Sequence, residues 1–378
     1  MIRLSPVLEG MRTYPFLRLT EAKRKMAARG VSIIDFGIGE PREETPAFIR
    51  EALARAVVPR STYPAADGLS ELREAVARWC GHRFGVGLDP ESEIVPTLGS
   101  KEAIFHLAEV FAGDLVALTV PGYPVAARGA AFAGKEVLEL PLRADADFEP
   151  DLDAVEPATW DRVSVLWLNY PNNPTAATVS TGFYERAAAL ARRHEFVLAS
   201  DEAYSELYFG ARPPASALQV ADRRHVCALN TLSKRSSMPG YRSGFIAGDP
   251  EIIAALKHYR PNAGVAPQEF VQRAAVAAWG DETHVDEVRE LYRAKRDVLM
   301  PALESAGLVH VGGDASFFLW LADAEEAAGA LLEEGIVFAP GSLFGPAGAG
   351  YARVALVPTL EECRRAAELI SRWRAAPR

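Results

Sequence analysis

Short apolar segments alternate with helical patterns over the first two thirds of this chain, and this alternation constrains the fold more than any other feature. The apolar segments are 93–98, 115–120, 163–168, 196–200, 226–230 and 244–247, and amphipathic helical patterns lie at 70–83, 102–111 and 183–194. Almost continuously apolar strands are typical of sheets that helices cover on both faces. The pattern therefore predicts an α/β fold with a mostly parallel sheet flanked by helices.

The alternation gives way to a different pattern after about residue 275. A long helix (282–306), a short strand region (315–321), a helix (325–334) and a terminal helix from 360 are indicated there. We predict a large domain over 46–275 and a smaller α+β domain over 276–378. Residues 1–45 are expected to pack on the small domain or on a partner subunit.

The composition favours small-molecule partners. The 378 residues include 41 basic and 50 acidic side chains, and the basic ones are scattered, which argues against a nucleic-acid partner. Charges interrupt residues 1–30, so we expect neither a secretory signal nor a membrane span. The three cysteines, Cys80, Cys227 and Cys363, lie far apart and indicate reduced thiols in a cytoplasmic protein rather than disulfides or a metal site.

Polar clusters follow three of the predicted strands. Segment 93–98 leads into Gly99-Ser100-Lys101 and a helix, where backbone N–H groups can meet an anion, although a tight turn between strand and helix has the same pattern. Segment 196–200 ends on Asp201, a carboxylate that needs a cationic partner if it is buried. In open α/β sheets, ligands bind beyond the carboxyl ends of the strands, so these clusters are candidate site residues.

The third cluster contains one of only seven lysines in the chain. Segment 226–230 leads into Thr231-Leu232-Ser233-Lys234, with Arg242 eight residues further on. A lysine that follows a buried strand can lose its hydration, which lowers its pKa and leaves a neutral amine able to form an imine. Hydroxyls and an arginine suit a phosphate dianion. Taken alone, Lys234 is also consistent with a surface lysine.

Together these motifs resemble a known family. Asn173-Pro174-Thr175, Asp201-Glu202-Ala203-Tyr204 and Ser233-Lys234 with Gly240 and Arg242 are similar, in order and spacing, to the motif set of fold-type I pyridoxal-phosphate enzymes, aminotransferase class I/II. The resemblance covers nearly the whole chain. It implies the aspartate-aminotransferase fold and pyridoxal 5'-phosphate as the cofactor.

The resemblance also implies roles at the cofactor ring. Lys234 would form the Schiff base and then move the substrate proton, and Asp201 would pair with the pyridine nitrogen. Tyr204 and Asn173 would hydrogen-bond the 3'-oxygen, while Tyr123 would stack on the ring. Ala176 departs from the family, which commonly has glycine at this position.

Further roles concern the phosphate and the substrate. The phosphate would be held by Ser100, Lys101, Ser233 and Arg242, with Thr231 as a further contact. Tyr63 resembles a tyrosine that reaches the neighbouring subunit's phosphate, which implies a homodimer with shared active sites. Arg353 would hold the substrate α-carboxylate, with Gly39 and Asn173 beside it.

Segments 232–245, 258–260 and 274–284, together with Tyr14-Pro15-Phe16 and 313–320, resemble a subgroup, the bacterial N-succinyl-LL-2,6-diaminopimelate aminotransferases of lysine biosynthesis. The resemblance implies ping-pong transamination between glutamate and N-succinyl-2-amino-6-oxopimelate through the Lys234 Schiff base. The alternatives are an aspartate, LL-diaminopimelate or other amino-acid aminotransferase, or a β-lyase of the same fold. Arg260 or Arg12 could bind a distal carboxylate, although Arg260 is also consistent with a surface position.

Two other classes of protein are less consistent with the sequence. A cofactor-binding regulator would carry a fused DNA-binding module, for which the predicted enzyme domains leave no room. An inactive relative has no physical need to keep Lys234, Asp201, Tyr204, Arg242 and Arg353 together. We therefore expect an active enzyme.

Overall fold

The computed structural model describes residues 2–11 and 16–375. Its helices are α1 Pro6–Gly10, α2 Phe16–Ala28, α3 Ala47–Ala56, α4 Ser70–Phe84, α5 Gly99–Val110, α6 Val125–Phe132, α7 Pro157–Trp160, α8 Thr181–Arg193, α9 Leu232–Arg235, α10 Pro250–Tyr259, α11 Glu269–Trp279, α12 Thr283–Ser305, α13 Glu325–Glu333 and α14 Leu360–Ala375. Its strands are β1 Ile34–Asp35, β2 Ile94–Thr97, β3 Leu115–Val120, β4 Glu136–Pro141, β5 Val163–Asn169, β6 Val197–Asp201, β7 Val226–Thr231, β8 Gly244–Gly248, β9 Phe318–Leu321, β10 Ile336–Val337, β11 Ala339–Pro340 and β12 Ala352–Ala355. None of the described helices is long and apolar enough to cross a membrane.

A seven-stranded sheet forms the centre of the large region, with strand order β2-β8-β7-β6-β5-β3-β4. Only β8 runs antiparallel to its neighbours, and the other pairs are parallel. Every residue of β3, β5, β6 and β7 is buried, because helices pack on both faces. This burial explains why the strand sequences are almost continuously apolar.

The sequence prediction omitted strand β4. Glu136–Pro141 lies at the edge of the sheet and pairs only with β3, and most of its side chains are exposed or half-buried. An edge strand that faces solvent does not need a buried apolar run, so its sequence lacks the signal that the inner strands carry.

A smaller α+β region is built around the long helix α12. Strands β11, β12 and β9 form an antiparallel sheet, and α12 and α14 pack together over a shared apolar core. The N-terminal strand β1 pairs with β10 of this region, with Ile34 opposite Ile336. The segment after β1 therefore leads from the small region back towards the large sheet. The division at residues 45 and 275 stays a prediction.

The polar ends of three neighbouring strands meet at one edge of the sheet. Strand β5 ends at Asn169, β6 at Asp201 and β7 at Thr231, and Asn169 lies opposite Asp201 in the ladder. Because β5, β6 and β7 are parallel neighbours, their carboxyl ends point in the same direction. This edge is where a ligand site is expected in an open α/β sheet.

Candidate active site

A cavity of about 620 Å³ opens at this edge of the sheet. Eleven of the residues to which the resemblance assigns a role at the cofactor or the α-carboxylate line it, and these residues are Gly39, Ser100, Lys101, Tyr123, Asn173, Asp201, Tyr204, Ser233, Lys234, Arg242 and Arg353. Thr231, predicted as a further contact, lines it as well. Tyr63 is fully exposed at the surface, away from this cavity. The fold thus joins side chains from both the large and the small regions.

Lys234 extends into the cavity from the one-turn helix α9. The Thr231 side chain accepts a hydrogen bond from the Ser233 N–H and so caps this helix. The Lys234 Nζ donates to the Gly39 carbonyl oxygen at 2.8 Å and lies 5.4 Å from the centre of the Phe317 ring. Burial lowers the pKa of the Lys234 amine to about 8, and the nearby positive charge of Arg353 adds to this effect. A large fraction of the amine is therefore neutral near pH 8.

Asp201 lies at the floor of the cavity, at the end of β6. Its side chain is buried, and one carboxylate oxygen accepts a hydrogen bond from the Ala203 N–H at 3.3 Å. Burial raises the pKa of this carboxyl to about 7. Because one long hydrogen bond compensates little of the cost of a buried negative charge, a cationic group on this side of the cavity would stabilise the ionised form.

Arg353 reaches the cavity from β12 in the small sheet. Its Nη1 donates to the Asn173 side-chain oxygen at 2.8 Å, and its Nη2 donates to the Gly37 carbonyl oxygen at 2.7 Å. The guanidinium lies 4.3 Å from the Phe318 ring centre and 4.6 Å from that of Phe344. These contacts hold the guanidinium plane in place, which suits two-pronged binding of a carboxylate.

The start of helix α5 forms a small cradle with Arg242. The Arg242 Nη2 donates to the Leu98 carbonyl oxygen at 3.1 Å, directly beside Gly99. Gly99 has a φ of +70°, and a Cβ atom there would lie 2.5 Å from the Arg242 Nη2. Only glycine allows the backbone and the guanidinium to approach this closely. The cradle combines a helix N-terminus with an arginine, which together suit a phosphate group.

Hydroxyl groups complete this side of the cavity. The Thr231 and Ser233 side-chain oxygens lie 2.9 Å apart, and Thr231 also donates to the Ser243 carbonyl oxygen at 2.9 Å. Because the Thr231 hydroxyl donates to the backbone, the Ser233 hydroxyl is the donor in the hydrogen bond between the two side chains. Ser233 is only 7% exposed, so it is accessible from the cavity side alone.

One sequence hypothesis about a distal carboxylate is wrong. Arg260 is buried and does not line the cavity, and its Nη1 donates to the Ala66 carbonyl oxygen at 3.3 Å and to the Pro96 carbonyl oxygen. It stabilises the loop before α4 instead of binding a ligand there. Arg12, the other candidate, lies outside the described residues.

Sequence reasoning missed several cavity residues. Asn169 donates from its side-chain nitrogen to the Asp201 carbonyl oxygen at 2.8 Å and accepts from the Asn173 N–H at 2.8 Å. Extending the predicted strand by one residue would have placed Asn169 at a strand end. Glu40, Phe318 and Phe344 also line the cavity. The two phenylalanines carry no local signal, because only the packing of the small region brings them to the site.

Comparison with known proteins identifies the family. The family model for aminotransferase class I and II matches residues 31–370. The chain belongs to this family. It is 38% identical to an LL-diaminopimelate aminotransferase of Nitratidesulfovibrio vulgaris (strain DSM 19637 / Miyazaki F), with 98% of each chain covered. The family has the aspartate-aminotransferase-like fold and uses pyridoxal 5'-phosphate, as the sequence predicted.

Two solved structures show the same fold. An aminotransferase from Neisseria meningitidis Z2491 superposes with a TM-score of 0.90 and 33% identity, covering 98% of this chain and all of that one. A probable N-succinyldiaminopimelate aminotransferase from Thermus thermophilus superposes with a TM-score of 0.87 and 34% identity, covering 95% and 99%. The fold class predicted from the sequence is thereby confirmed.

The cavity residues fit pyridoxal phosphate. The partly neutral Lys234 amine suits imine formation, and the buried Asp201 carboxylate suits a protonated ring nitrogen. The cradle of Gly99 and Arg242, which a Cβ atom would fill, suits the phosphate. Three chemically different parts of the cofactor therefore have a matching group in one cavity.

Proposed function

We propose that this aminotransferase transfers the amino group of LL-2,6-diaminopimelate to 2-oxoglutarate, reversibly. The observation that carries the proposal is the 38% identity, over 98% of both chains, to the Nitratidesulfovibrio protein named for this substrate. The donor's amino-bearing carbon becomes a 2-oxo carbon, while 2-oxoglutarate becomes glutamate. The two half-reactions follow a ping-pong order, with the first product leaving before the second substrate binds.

In this proposal Lys234 binds the cofactor and handles the proton. When bound, pyridoxal phosphate supplies the conjugated ring that acidifies the substrate Cα–H bond. The Lys234 Nζ would take that proton and deliver it to the C4' carbon of the cofactor, and it would move a proton in the opposite direction in the second half-reaction. Its pKa of about 8 suits both tasks, because an amine near its pKa can accept and release a proton.

Asp201 and the aromatic residues orient the ring. The ionised Asp201 would keep a proton on the ring nitrogen, and this pairing would offset the burial that otherwise raises the pKa of the carboxyl to about 7. Tyr204 and Asn173 donate to the 3'-oxygen, and Tyr123 packs on the ring. Ser100, Lys101, Ser233 and Arg242 bind the phosphate.

Arg353 binds the α-carboxylate of each substrate. Its guanidinium is oriented by Asn173 and by the Gly37 carbonyl oxygen, at 2.8 and 2.7 Å. Gly39 lies beside this position and keeps the backbone close, since a Cβ atom there would lie 2.8 Å from the Phe318 ring. The carboxylate is thus held on the same side of the cavity as the Lys234 amine.

We also propose a homodimer with shared active sites. Tyr63 is fully exposed, and the apolar side chains of Val57 and Val58 nearby are 64% and 61% exposed. Apolar groups clustered on a surface loop favour burial against a partner. In the dimer, Tyr63 reaches the phosphate of the neighbouring subunit.

The succinylated substrate remains the second candidate. The sequence motifs predicted it, and the Thermus structure is named as a probable enzyme of that kind at 34% identity. The two substrates differ at the distal end, where one carries a free ammonium group and the other a bulky, negatively charged acyl group. A pocket that accepts both equally is not expected, since the two groups require opposite charges around them.

The test compares the two compounds directly as amino donors. Holoenzyme is assayed for glutamate formation from 2-oxoglutarate with LL-2,6-diaminopimelate or with its N-succinyl derivative. We expect kcat/KM to be higher for the free amino acid by roughly tenfold or more. A higher value for the succinylated compound would transfer the proposal to the second candidate.

Two controls complete this experiment. Lys234→Ala should form no glutamate from either donor, which assigns the activity to the proposed lysine. An amino acid with a β-leaving group tests for lyase chemistry. Release of ammonia and a 2-oxo acid without 2-oxoglutarate would contradict transamination as the main reaction.

A further inference from the structure

Ser236, two residues after Lys234, belongs to a buried series of hydrogen bonds that has no part in the proposed reaction. The Ser236 hydroxyl lies 2.8 Å from the His284 Nε2, and the His284 Nδ1 lies 2.6 Å from an Asp281 carboxylate oxygen. The same carboxylate oxygen accepts the His284 backbone N–H at 3.0 Å. Serine, histidine and aspartate are thus connected in the order that hydrolases use for nucleophilic catalysis.

Burial excludes a hydrolytic role for this chain of residues. Ser236 is 0% exposed and His284 is 4% exposed, and neither lines the active-site cavity. A nucleophile needs a substrate carbonyl within reach and donors for the developing oxyanion. The three residues must therefore act through the structure around them.

The protonation pattern along the chain follows from the burial. Burial lowers the pKa of the His284 imidazole, so the ring is neutral at physiological pH. A neutral imidazole carries one N–H, and the adjacent Asp281 carboxylate, which can only accept, receives it from Nδ1. The unprotonated Nε2 then accepts from the Ser236 hydroxyl. Each bond of the chain has a defined direction.

Arg235, which lies between Lys234 and Ser236, also contacts the chain around residues 278–282. Arg235 forms an ion pair with Glu282 and donates to the Ala278 carbonyl oxygen at 3.2 Å. Its guanidinium lies 4.5 Å from the Trp279 ring centre and 5.4 Å from that of Trp79. Arg235 is 1% exposed, so this contact is as buried as the first.

Arg235 and Ser236 are both held by residues at the start of helix α12. Residues 281–284 join α11 of the large region to α12, and α12 packs along α14 in the small region. The backbone that carries Lys234 is therefore fastened at two successive positions to the joint between the regions. The small region also supplies Arg353, which binds the α-carboxylate in the proposed function.

We propose that Ser236 and His284 are positioning residues that hold the Lys234 backbone against the start of α12, so that the amine and Arg353 keep a fixed relative placement. This inference rests on the proposed role of Lys234 as the cofactor lysine. Small displacements of a reacting amine have large effects on rate, which makes the arrangement testable.

The experiment compares five full-length variants with the wild-type holoenzyme, and Lys234→Ala is the fifth of them. Ser236→Ala removes one hydroxyl, and His284→Leu removes both ring nitrogens. His284→Gln keeps an acceptor near the Nε2 position. His194→Leu is the matched control, because His194 also pairs with a carboxylate, at 2.7 Å from Asp161, but at the end of helix α8 away from the cavity.

The readouts separate positioning from simple stability. For each variant we would measure the pH midpoint of the visible absorbance of bound pyridoxal phosphate, the Kd for the cofactor, the Tm, and kcat and KM with glutamate. Ser236→Ala and His284→Leu should shift the absorbance midpoint and lower kcat by roughly 10- to 100-fold, with KM nearly unchanged. His284→Gln should recover most of kcat, and His194→Leu should match the wild type in midpoint and kcat.

Several outcomes overturn the inference. A lower Tm with a wild-type midpoint and wild-type kcat per folded molecule would show a structural role only. If His284→Leu does not fold, Ser236→Ala decides the question, since it removes a single oxygen atom. Lys234→Ala is included to separate the two levels of argument: if that variant still reacts with glutamate, the proposed role of Lys234 fails first and this inference fails with it.

Discussion

The Lys234 amine lies near charges of both signs, and these charges help to set the pH at which it becomes neutral and reactive. Burial and the nearby Arg353 lower its pKa to about 8, while Glu40 opposes the effect. Capture of pyridoxal phosphate needs the neutral amine, which becomes the major form as the pH rises through this value. The environment of one side chain thus makes cofactor loading pH-dependent.

We therefore expect the rate of cofactor capture by the cofactor-free protein to rise between pH 7 and 9, with a midpoint near the pKa of about 8. Arg353→Gln should move the midpoint up, because a positive charge that disfavours the ammonium form is lost. Glu40→Gln should move it down. Rapid-mixing absorbance measurements across this range check the prediction, and shifts of the same sign in both variants would contradict it.

Gly99 provides a second test at the level of one residue. In Gly99→Ala the new Cβ atom would lie 2.5 Å from the Arg242 Nη2, at a φ of +70°. We expect the Kd for pyridoxal phosphate to rise by roughly tenfold or more, because the guanidinium must move out of the cradle. Titration of the cofactor-free protein measures this.

Gly134→Ala is the matched control for that substitution. Gly134 has the same φ of +70°, but a Cβ atom there meets nothing within 4 Å. Both variants carry the same left-handed backbone strain, of about 1–2 kcal/mol, and only one disturbs the cradle. Equal losses of cofactor affinity in the two variants would show that the close approach to Arg242 is unimportant.

At the scale of elements, the ends of β5 and β6 are linked by one side chain. Asn169 joins the Asp201 carbonyl oxygen to the Asn173 backbone, with both hydrogen bonds at 2.8 Å. Asn169 therefore aligns Asp201, the proposed partner of the ring nitrogen, with Asn173, which accepts a hydrogen bond from Arg353. Since all of these atoms are buried, removing the amide leaves the Asp201 carbonyl and the Asn173 N–H without this partner.

Asn169→Ala should reduce kcat/KM for both substrates by roughly 10- to 100-fold, because Asn173 and Asp201 lose their common support. The free energy of unfolding should fall by about 1–3 kcal/mol, the cost of leaving a buried polar group unsatisfied. Steady-state kinetics and denaturant titration measure the two effects. Asn262→Ala is the control, since the Asn262 side chain donates an exposed local hydrogen bond to the His258 carbonyl oxygen. A loss of stability with unchanged kcat/KM would contradict the aligning role.

The elements also show what the sequence can and cannot predict. The inner strands were predicted to within a residue or two, because burial on both faces requires a continuous apolar run. Strand β4 lacks that requirement and was missed. Asn169 was missed for a different reason: it is the last residue of β5, and a polar residue at that place looks like the start of a loop.

Cavity residues could be predicted from the sequence where they belong to a motif that follows a strand. Lys234, Asp201 and Asn173 are of this kind. Phe318 and Phe344 depend on how the small region packs, and no local pattern indicates that packing. Arg260 shows the reverse error. Its position after a helix suggested a ligand-binding arginine, but its side chain is buried and donates to two backbone carbonyl oxygens. The sequence thus predicted the polar side chains that line the cavity better than the apolar ones.

The proposed dimer leads to a prediction that only two chains together can satisfy. Tyr63 is fully exposed in the single chain, and we place it at the partner's phosphate site. A homodimer with shared sites then contains two composite cavities, each built from the Lys234 of one chain and the Tyr63 of the other. Lys234→Ala and Tyr63→Ala, prepared separately, should each have low activity, because every cavity lacks one component.

When the two variants are mixed, dissociated and allowed to form dimers again, activity should be recovered. In each mixed dimer one cavity receives both intact residues and the other receives neither. With random pairing, half of the dimers are mixed, so the total should approach about one quarter of the wild-type activity per chain. Size-exclusion chromatography checks that dimers re-form. A mixture of Lys234→Ala with Asp201→Asn is the control. Because Lys234 and Asp201 line the cavity of the same chain, every cavity in that mixture still lacks one of them. Dimers that re-form without any gain in activity would place Tyr63 outside the partner's site.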